Sequence, residues 1–190
     1  PIDICKNGGS NINRYQAYIG KASFTLKDFV KGLRINLSGS RRAGYYASQT
    51  NTRTLYWKDR MGKSVRYNYG VPNSLFKQKN SDYHDLLEAT VTYDFSIAKQ
   101  HHFTLLGGSS YENYRKDEIS ATAKNMISND FYSFNFYDTA EATNTSLSDN
   151  IQPWSMMSYF GRLNYNYKER YLFESNIRYD GSSRLAPSKR

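Results

Sequence analysis

Apolar and polar residues alternate with a period of two along several stretches of this chain, most cleanly between Met157 and Asp180. Successive side chains of a strand point to opposite faces, so odd or even numbering assigns each residue a side. Met157, Tyr159, Gly161, Leu163, Tyr165 and Tyr167 fall on one face, and Phe160, Arg162, Asn164 and Asn166 on the other. After a turn at Lys168, Glu169 and Arg170, the odd face resumes with Tyr171, Phe173, Ile177 and Tyr179. The even face carries Glu174, Asn176, Arg178 and Asp180. The pattern predicts a β-hairpin with one apolar and one strongly polar face.

The same design recurs upstream. Leu87, Ala89, Val91, Tyr93 and Phe95 alternate with Glu88, Thr90, Thr92 and Asp94. Beyond "SIAKQH", Phe103, Leu105, Gly107 and Tyr111 alternate with Thr104, Gly108, Ser110 and Glu112, which predicts a second hairpin. A third pairs Leu33, Ile35, Leu37 and Gly39 with an earlier run of Tyr18, Gly20, Ala22 and Phe24, although Ile19 falls on its polar side.

Connections within hairpins are short, at roughly Lys27–Gly32, Ser96–His101 and Lys168–Arg170. Those between hairpins are long and polar, at about Arg41–Leu86 and Arg115–Met156. Long connections without regular structure are uncommon in compact soluble domains. Strict alternation of short and long places all the long ones on one side of the sheet. Outer-membrane β-barrels are built this way, with short periplasmic turns, long extracellular loops, an apolar outer face and a polar lumen. The expected fold is therefore all-β, an antiparallel meander of about six strands forming part of a large transmembrane barrel.

Composition sharpens this reading. Only 38% of the 190 residues are hydrophobic, and the apolar material is concentrated in Tyr 18 and Phe 10, whereas a soluble core leans on Leu, Ile and Val. Aromatic girdles at the two membrane interfaces account for that bias. Tyr93, Phe95 and Phe103 flank one short turn, Tyr165, Tyr167, Tyr171 and Phe173 flank another, and Tyr111, Trp154 and Tyr159 lie toward the long-loop ends. No run of about 18 apolar residues exists, so no transmembrane helix is expected, and the start "PIDICKNGG" lacks signal-peptide architecture. The lone cysteine, Cys5, excludes an internal disulfide and a Cys-based zinc site.

Three stretches carry a family resemblance. "MSYFGRLNYNYKERYLFESNIRYDGSSRL", Met157 to Leu185, resembles a barrel hairpin of the SusC-like, or RagA-like, TonB-dependent outer-membrane transporters of Bacteroidetes. "HHFTLLGGSSYENYRKDEISA" from His101 is similar to the strand and loop that precede it, and "ISNDFYSFN" from Ile127 is similar to the loop that follows that strand. The resemblance is specific from Leu87 to Arg190 and loose over Asn13–Arg42, and the loop Tyr45–Tyr83 carries no recognised motif. It implies an energy-coupled importer of glycans or peptides, a lumen filled by a plug, a SusD-like surface lipoprotein as lid, and the TonB complex as driver. Residues 1–190 read as an internal segment of the barrel domain with no plug or TonB box of their own. The implied location is the outer membrane, with its lipid and lipopolysaccharide as surroundings.

Candidate site residues follow from the same parity. Glu88, Thr90, Thr92, Asp94, Arg162, Asn164, Glu174, Asn176 and Arg178 would face the lumen and hold the plug or line the solute path, or simply pair with one another as a solvated polar wall. The formal charge of +9 collects partly in the loop Arg41–Leu86, where Tyr45, Tyr46, Tyr56, Trp57, Tyr67 and Tyr69 interleave with cations. That mixture suits base stacking on single-stranded nucleic acid, and equally sugars, a partner lipoprotein or lipopolysaccharide phosphates. On a barrel's outer end, nucleic acid is the weakest match, and Tyr45, Tyr46, Tyr56 and Trp57 become candidates for ligand or partner contact.

No enzyme, metal or cofactor is expected. "LGGSSYE" and "DGSSR" lack the Gly-Lys-Ser/Thr ending of a phosphate loop. Paired glycines in a strand mark a bulge or a close approach instead. Adjacent His101 and His102 would point apart on a strand, which disfavours chelation, and nothing assembles His84, Ser81, Asp82 and Asp85 into a triad. The alternative fold is a soluble basic β-sandwich that binds carbohydrate or nucleic acid through the aromatic loop. It would bury the odd face under a second sheet.

Overall fold

A computed structural model describes residues 7–27, 29–66 and 70–185; Cys5, Tyr67 and Tyr69 lie outside them. Six long strands form one sheet. They are β1 (Gly9–Lys27), β2 (Leu33–Thr52), β5 (Ser74–Ile97), β6 (His101–Lys124), β7 (Thr145–Tyr167) and β8 (Tyr171–Ser182), hydrogen-bonded in chain order as an antiparallel meander. Two short strands between β2 and β5, β3 (Tyr56–Lys58) and β4 (Ser64–Arg66), pair with each other. A 3-10 turn, Ala142–Asn144, leads into β7. The all-β meander expected from the alternation is the observed fold.

The strands continue well past the predicted boundaries. The expected loops Arg41–Leu86 and Arg115–Met156 contain the ends of β2 and β6 and the beginnings of β5 and β7, which leaves only residues 53–73 and 125–144 between long strands. Tyr45 and Tyr46 are thus strand residues of β2, not loop residues. These extensions are polar on both faces, so the hydropathy alternation that marks a half-buried strand is absent from them.

By contacts the chain divides into two compact units. One comprises Tyr18–Ala43, Asp82–Arg115 and Gln152–Arg190. Here the β7–β8 register pairs odd with odd and even with even: Gly161 faces Ile177, Tyr165 faces Phe173, Arg162 faces Asn176 and Asn164 faces Glu174. The apolar side chains of the odd face are uncovered, with Leu87 58%, Leu105 42% and Ile177 75% exposed. A sandwich would bury them, so the alternative fold is not what this unit adopts. Near the short turns, rings run in an unbroken series across the strands. Tyr93 and Phe95 lie 5.2 Å apart, Phe95 and Phe103 5.1 Å, Phe103 and Tyr165 4.8 Å, and Tyr167 and Tyr171 6.3 Å. His101 joins that row through a 2.7 Å hydrogen bond to the Tyr165 hydroxyl, while His102 turns to the other face and meets Ser96 Oγ at 2.7 Å.

The turns after β5 and β7 are made by residues other than glycine in the left-handed region, Ala98 and Lys99 in one and Lys168 and Glu169 in the other, while the turn before β2 uses Gly32. That conformation gives hairpin turns the twist of their strands. The two turns are tied together, because the Lys168 N–H donates to the Gln100 carbonyl at 3.0 Å.

The other unit comprises Pro1–Ala17, Gly44–Ser81 and Lys116–Ile151. Its small core is Leu75, Ala123 and Met126, with Phe134 and Tyr137 packed against them. Asparagine side chains order the two connections. Asn73 accepts from the Met126 N–H at 2.8 Å and donates to the Met126 carbonyl at 3.0 Å. Asn129 accepts from the Thr54 N–H at 3.2 Å and donates to the Thr54 carbonyl at 2.9 Å. Each amide mimics a strand partner, satisfying backbone groups that no neighbouring strand reaches. Arg53 adds an ion pair to Asp130 and a 3.3 Å hydrogen bond to the Asn129 carbonyl.

Candidate functional site

Of the nine residues singled out by parity, those on β7 and β8 in the Tyr18–Ala43, Asp82–Arg115 and Gln152–Arg190 unit are brought together by register, even opposite even. Arg162 donates to Asn176 Oδ1 at 2.7 Å and stands 3.9 Å from Glu174, while Asn176 donates to Glu174 Oε1 at 2.8 Å. Arg178 donates from Nε to Asp180 at 2.8 Å and from Nη2 to Ser158 Oγ at 3.0 Å. Asp94 accepts from Thr104 Oγ1 at 2.5 Å. Glu88, Thr90 and Thr92 alternate along β5 and are half-buried, and Glu88 borders a depression shared with Leu87 and Ala89. Exposed ion pairs of this kind contribute under about 1 kcal/mol each. Their significance is directional, since they hold guanidinium and carboxylate groups in fixed positions along a polar wall.

Two features break that polar uniformity. The Arg178 guanidinium lies 5.8 Å from the centre of the Phe160 ring. Phe160 in turn covers Gly108, where an added Cβ would sit 2.7 Å from the ring and 2.9 Å from the Ala89 carbonyl oxygen. Of the two adjacent glycines, Gly108 is the site of close approach, and Gly107 opens onto empty space. Asn164 Oδ1 is buried without a hydrogen-bond partner among the described residues. A buried amide oxygen left unpaired carries a desolvation cost of about 1–3 kcal/mol, and so is a point where an incoming donor gains most.

A second group on the same face was not anticipated. His84 Nε2 meets Glu112 Oε1 at 2.6 Å, the rings of Tyr114 and Trp154 stack at 5.6 Å, His84 stands 6.0 Å from Trp154, and Arg184 lies 4.9 Å from the Trp154 centroid. The Arg42–Asp82 pair, at 2.6 Å, is formed by even-numbered residues next to it. Trp154 therefore belongs to an aromatic row with the even-numbered His84 and Tyr114. Its even number carried that signal, and proximity to the strand end obscured it.

The four aromatic candidates are not assembled into one site. Tyr45 and Tyr46 leave opposite faces of β2, and Tyr46 donates to Asn13 Oδ1 at 3.1 Å. Tyr56 and Trp57 are neighbours on β3, opposite Arg66 and Val65, and both are exposed. Tyr56 lines a polar cleft of ≈ 720 Å³ with Arg66, Asn129, Tyr137 and Asp138. Among the described residues no group of three or more His, Cys, Asp or Glu is placed to hold a metal ion.

No family model matches the chain. It is 35% identical over 96 residues to TonB-dependent receptor P26 of Formosa agariphila, covering 50% of this chain and 10% of that protein. TonB-dependent receptor SusC of Bacteroides thetaiotaomicron is 27% identical over 192 residues, covering 97% of this chain and 16% of the relative. The chain thus spans a small part of the length of the curated relatives it matches. Among solved structures, the RagAB peptide transporter superposes with a TM-score of 0.80 at 18% identity, covering 97% of this chain and 19% of the other. The RagAB peptide importer in its "closed-closed" state gives 0.71 over 93% of this chain. At that identity the superposition speaks for the fold, and the curated relatives show a sequence similarity to TonB-dependent receptors. In sequence and in fold alike, the chain is SusC/RagA-like, a segment resembling the barrel wall of the TonB-dependent outer-membrane transporters.

Proposed function

We propose that this chain is barrel wall in an energy-coupled outer-membrane importer of glycans or peptides, working with a SusD-like surface lipoprotein and the TonB complex. In this reading residues 1–190 belong to the barrel domain of a longer transporter. The observation that carries it is the uncovered apolar face on successive strands, bounded by tyrosines and phenylalanines at the short-turn end. A stretch of nine residues, such as Leu87–Phe95 or Phe103–Tyr111, matches the span of a tilted transmembrane strand. The odd face meets lipid. Glu88, Thr90, Thr92, Asp94, Arg162, Asn164, Glu174, Asn176 and Arg178 line the lumen, where a plug and a passing solute both need polar partners that can be made and broken. The row His84, Tyr114 and Trp154 adds aromatic surface to the solute path. Residues 53–73 and 125–144 lie outside the cell, with Tyr56 and Trp57 available to solute or lipoprotein, and the short turns are periplasmic.

Trypsin applied to intact cells that express the full-length protein tests the orientation. Cleavage is expected among Lys58, Arg60, Lys63 and Arg66, with Arg41, Arg42, Lys79 and Arg115 protected within strands. Protection of the first group with cleavage near Lys99 or Lys168 would invert the topology, and a soluble product would end the transporter reading.

A further inference from the structure

We propose that the outer face holds a specific binding site for a phosphorylated, acylated glycolipid of the outer leaflet, with Arg41 as its phosphate ligand; the site rests on the orientation proposed above. Two apolar depressions lie on the odd face of the Tyr18–Ala43, Asp82–Arg115 and Gln152–Arg190 unit. One, of ≈ 460 Å³, is lined by Phe24, Leu37, Leu87, Ala89, Tyr111 and Met157. The other, of ≈ 540 Å³, is lined by Val91, Leu105, Gly107, Gly161, Leu163 and Ile177. Ala89 and Val91 alternate on the same face of β5, so the depressions succeed one another along that strand. Each has room for a fatty acyl chain, and hydrocarbon is the only filling an apolar groove within a bilayer would meet.

Arg41 stands two residues beyond Gly39 on the same face of β2, at the end of the groove toward the long connections. Its Nε–H donates to Asp85 across 3.2 Å, and its guanidinium lies 5.2 Å from the centre of the Tyr83 ring. The side chain nevertheless remains 65% exposed. A planar fork already immobilised by a carboxylate and a ring loses little freedom on taking a second anion, and its geometry suits phosphate bidentately. Arg115 lies on the same face of β6, four residues beyond Tyr111. Aromatic rings, a fixed cation and an acyl groove thus occur in the order that a lipid presents headgroup and chain.

The test is native mass spectrometry of the full-length transporter extracted from outer membrane, with displacement of bound lipid by lipid A, dephosphorylated lipid A or phosphatidylglycerol. Wild type should retain lipid A and exchange it poorly for the other two. Arg41→Gln should lower retention roughly tenfold, the scale of one charge-assisted hydrogen bond, and Ala89→Trp should do so by filling the groove. Thr104→Ala, on the face that carries Asp94, should retain lipid as wild type does. Equal retention in wild type and Arg41→Gln, or equal competition by phosphatidylglycerol, overturns the site in favour of ordinary annular lipid. Photolabelling from a probe at Leu163 by acyl-chain reagents separates this failure from a deeper one: no labelling there would overturn the lipid-facing assignment itself. The displacement series in wild type needs no variant to fold.

Discussion

Val91 lies at the centre of the apolar stretch of β5, four residues from Leu87 and four from Phe95. A rise of about 3.3 Å per residue and a strand tilt of about 40° place it roughly 10 Å in depth from either end, near the midplane of an apolar band about 25 Å tall. Its side chain is 45% exposed on the sheet, so replacement removes little packing, and the penalty of Val91→Arg comes from a guanidinium in hydrocarbon. That penalty is about 2–4 kcal/mol, or roughly 30- to 900-fold in the folding equilibrium. Thr92 is next in the chain and points to the polar face, so Thr92→Arg should change stability by under about 1 kcal/mol. Urea titration of the full-length protein in phospholipid vesicles, read by tryptophan fluorescence and heat-modifiable migration, measures both. Equal losses, or a greater loss from Thr92→Arg, would refute the assignment of faces.

Gly108→Ala should destabilise by about 1–3 kcal/mol because the new methyl meets the Phe160 ring and the Ala89 carbonyl, whereas Gly107→Ala should be close to neutral; the same titration compares them. Trp154→Ala should cost about 0.5–1.5 kcal/mol of ring–ring stabilisation and slow solute uptake by cells, while Trp154→Phe should restore most of both. Asn129→Ala removes the amide that bridges the two connections, and limited chymotrypsin digestion of intact cells should then cut faster among Phe131, Tyr132 and Phe136, with barrel stability unchanged.

The faces were legible in the sequence wherever one of them is apolar. From Met157 to Tyr179 the β7–β8 register sets odd opposite odd and even opposite even, as the alternation requires. The strand extensions Gly44–Thr52, Ser74–Ser81 and Lys116–Lys124 were not legible. Both of their faces are polar, and only β-branched and aromatic content hints at a strand there. The row of His84, Tyr114 and Trp154 was within reach, because all three carry even numbers. What parity does not supply is which even-numbered residues stand at the same level on neighbouring strands, and that depends on the register of each hairpin.

The tie between the two tight turns has a consequence for assembly. A slip of one residue in any strand would exchange its lipid and water faces, so a growing barrel must set register before it can insert. The left-handed residues at Ala98, Lys99, Lys168 and Glu169 fix register within each hairpin, using contacts only a few residues apart. The bond from the Lys168 N–H to the Gln100 carbonyl then fixes it between hairpins, at the end where β5 and β7 stop and β6 and β8 begin. Such a wall can be laid down one hairpin at a time, each addition proofread against the last before any long-range closure is attempted.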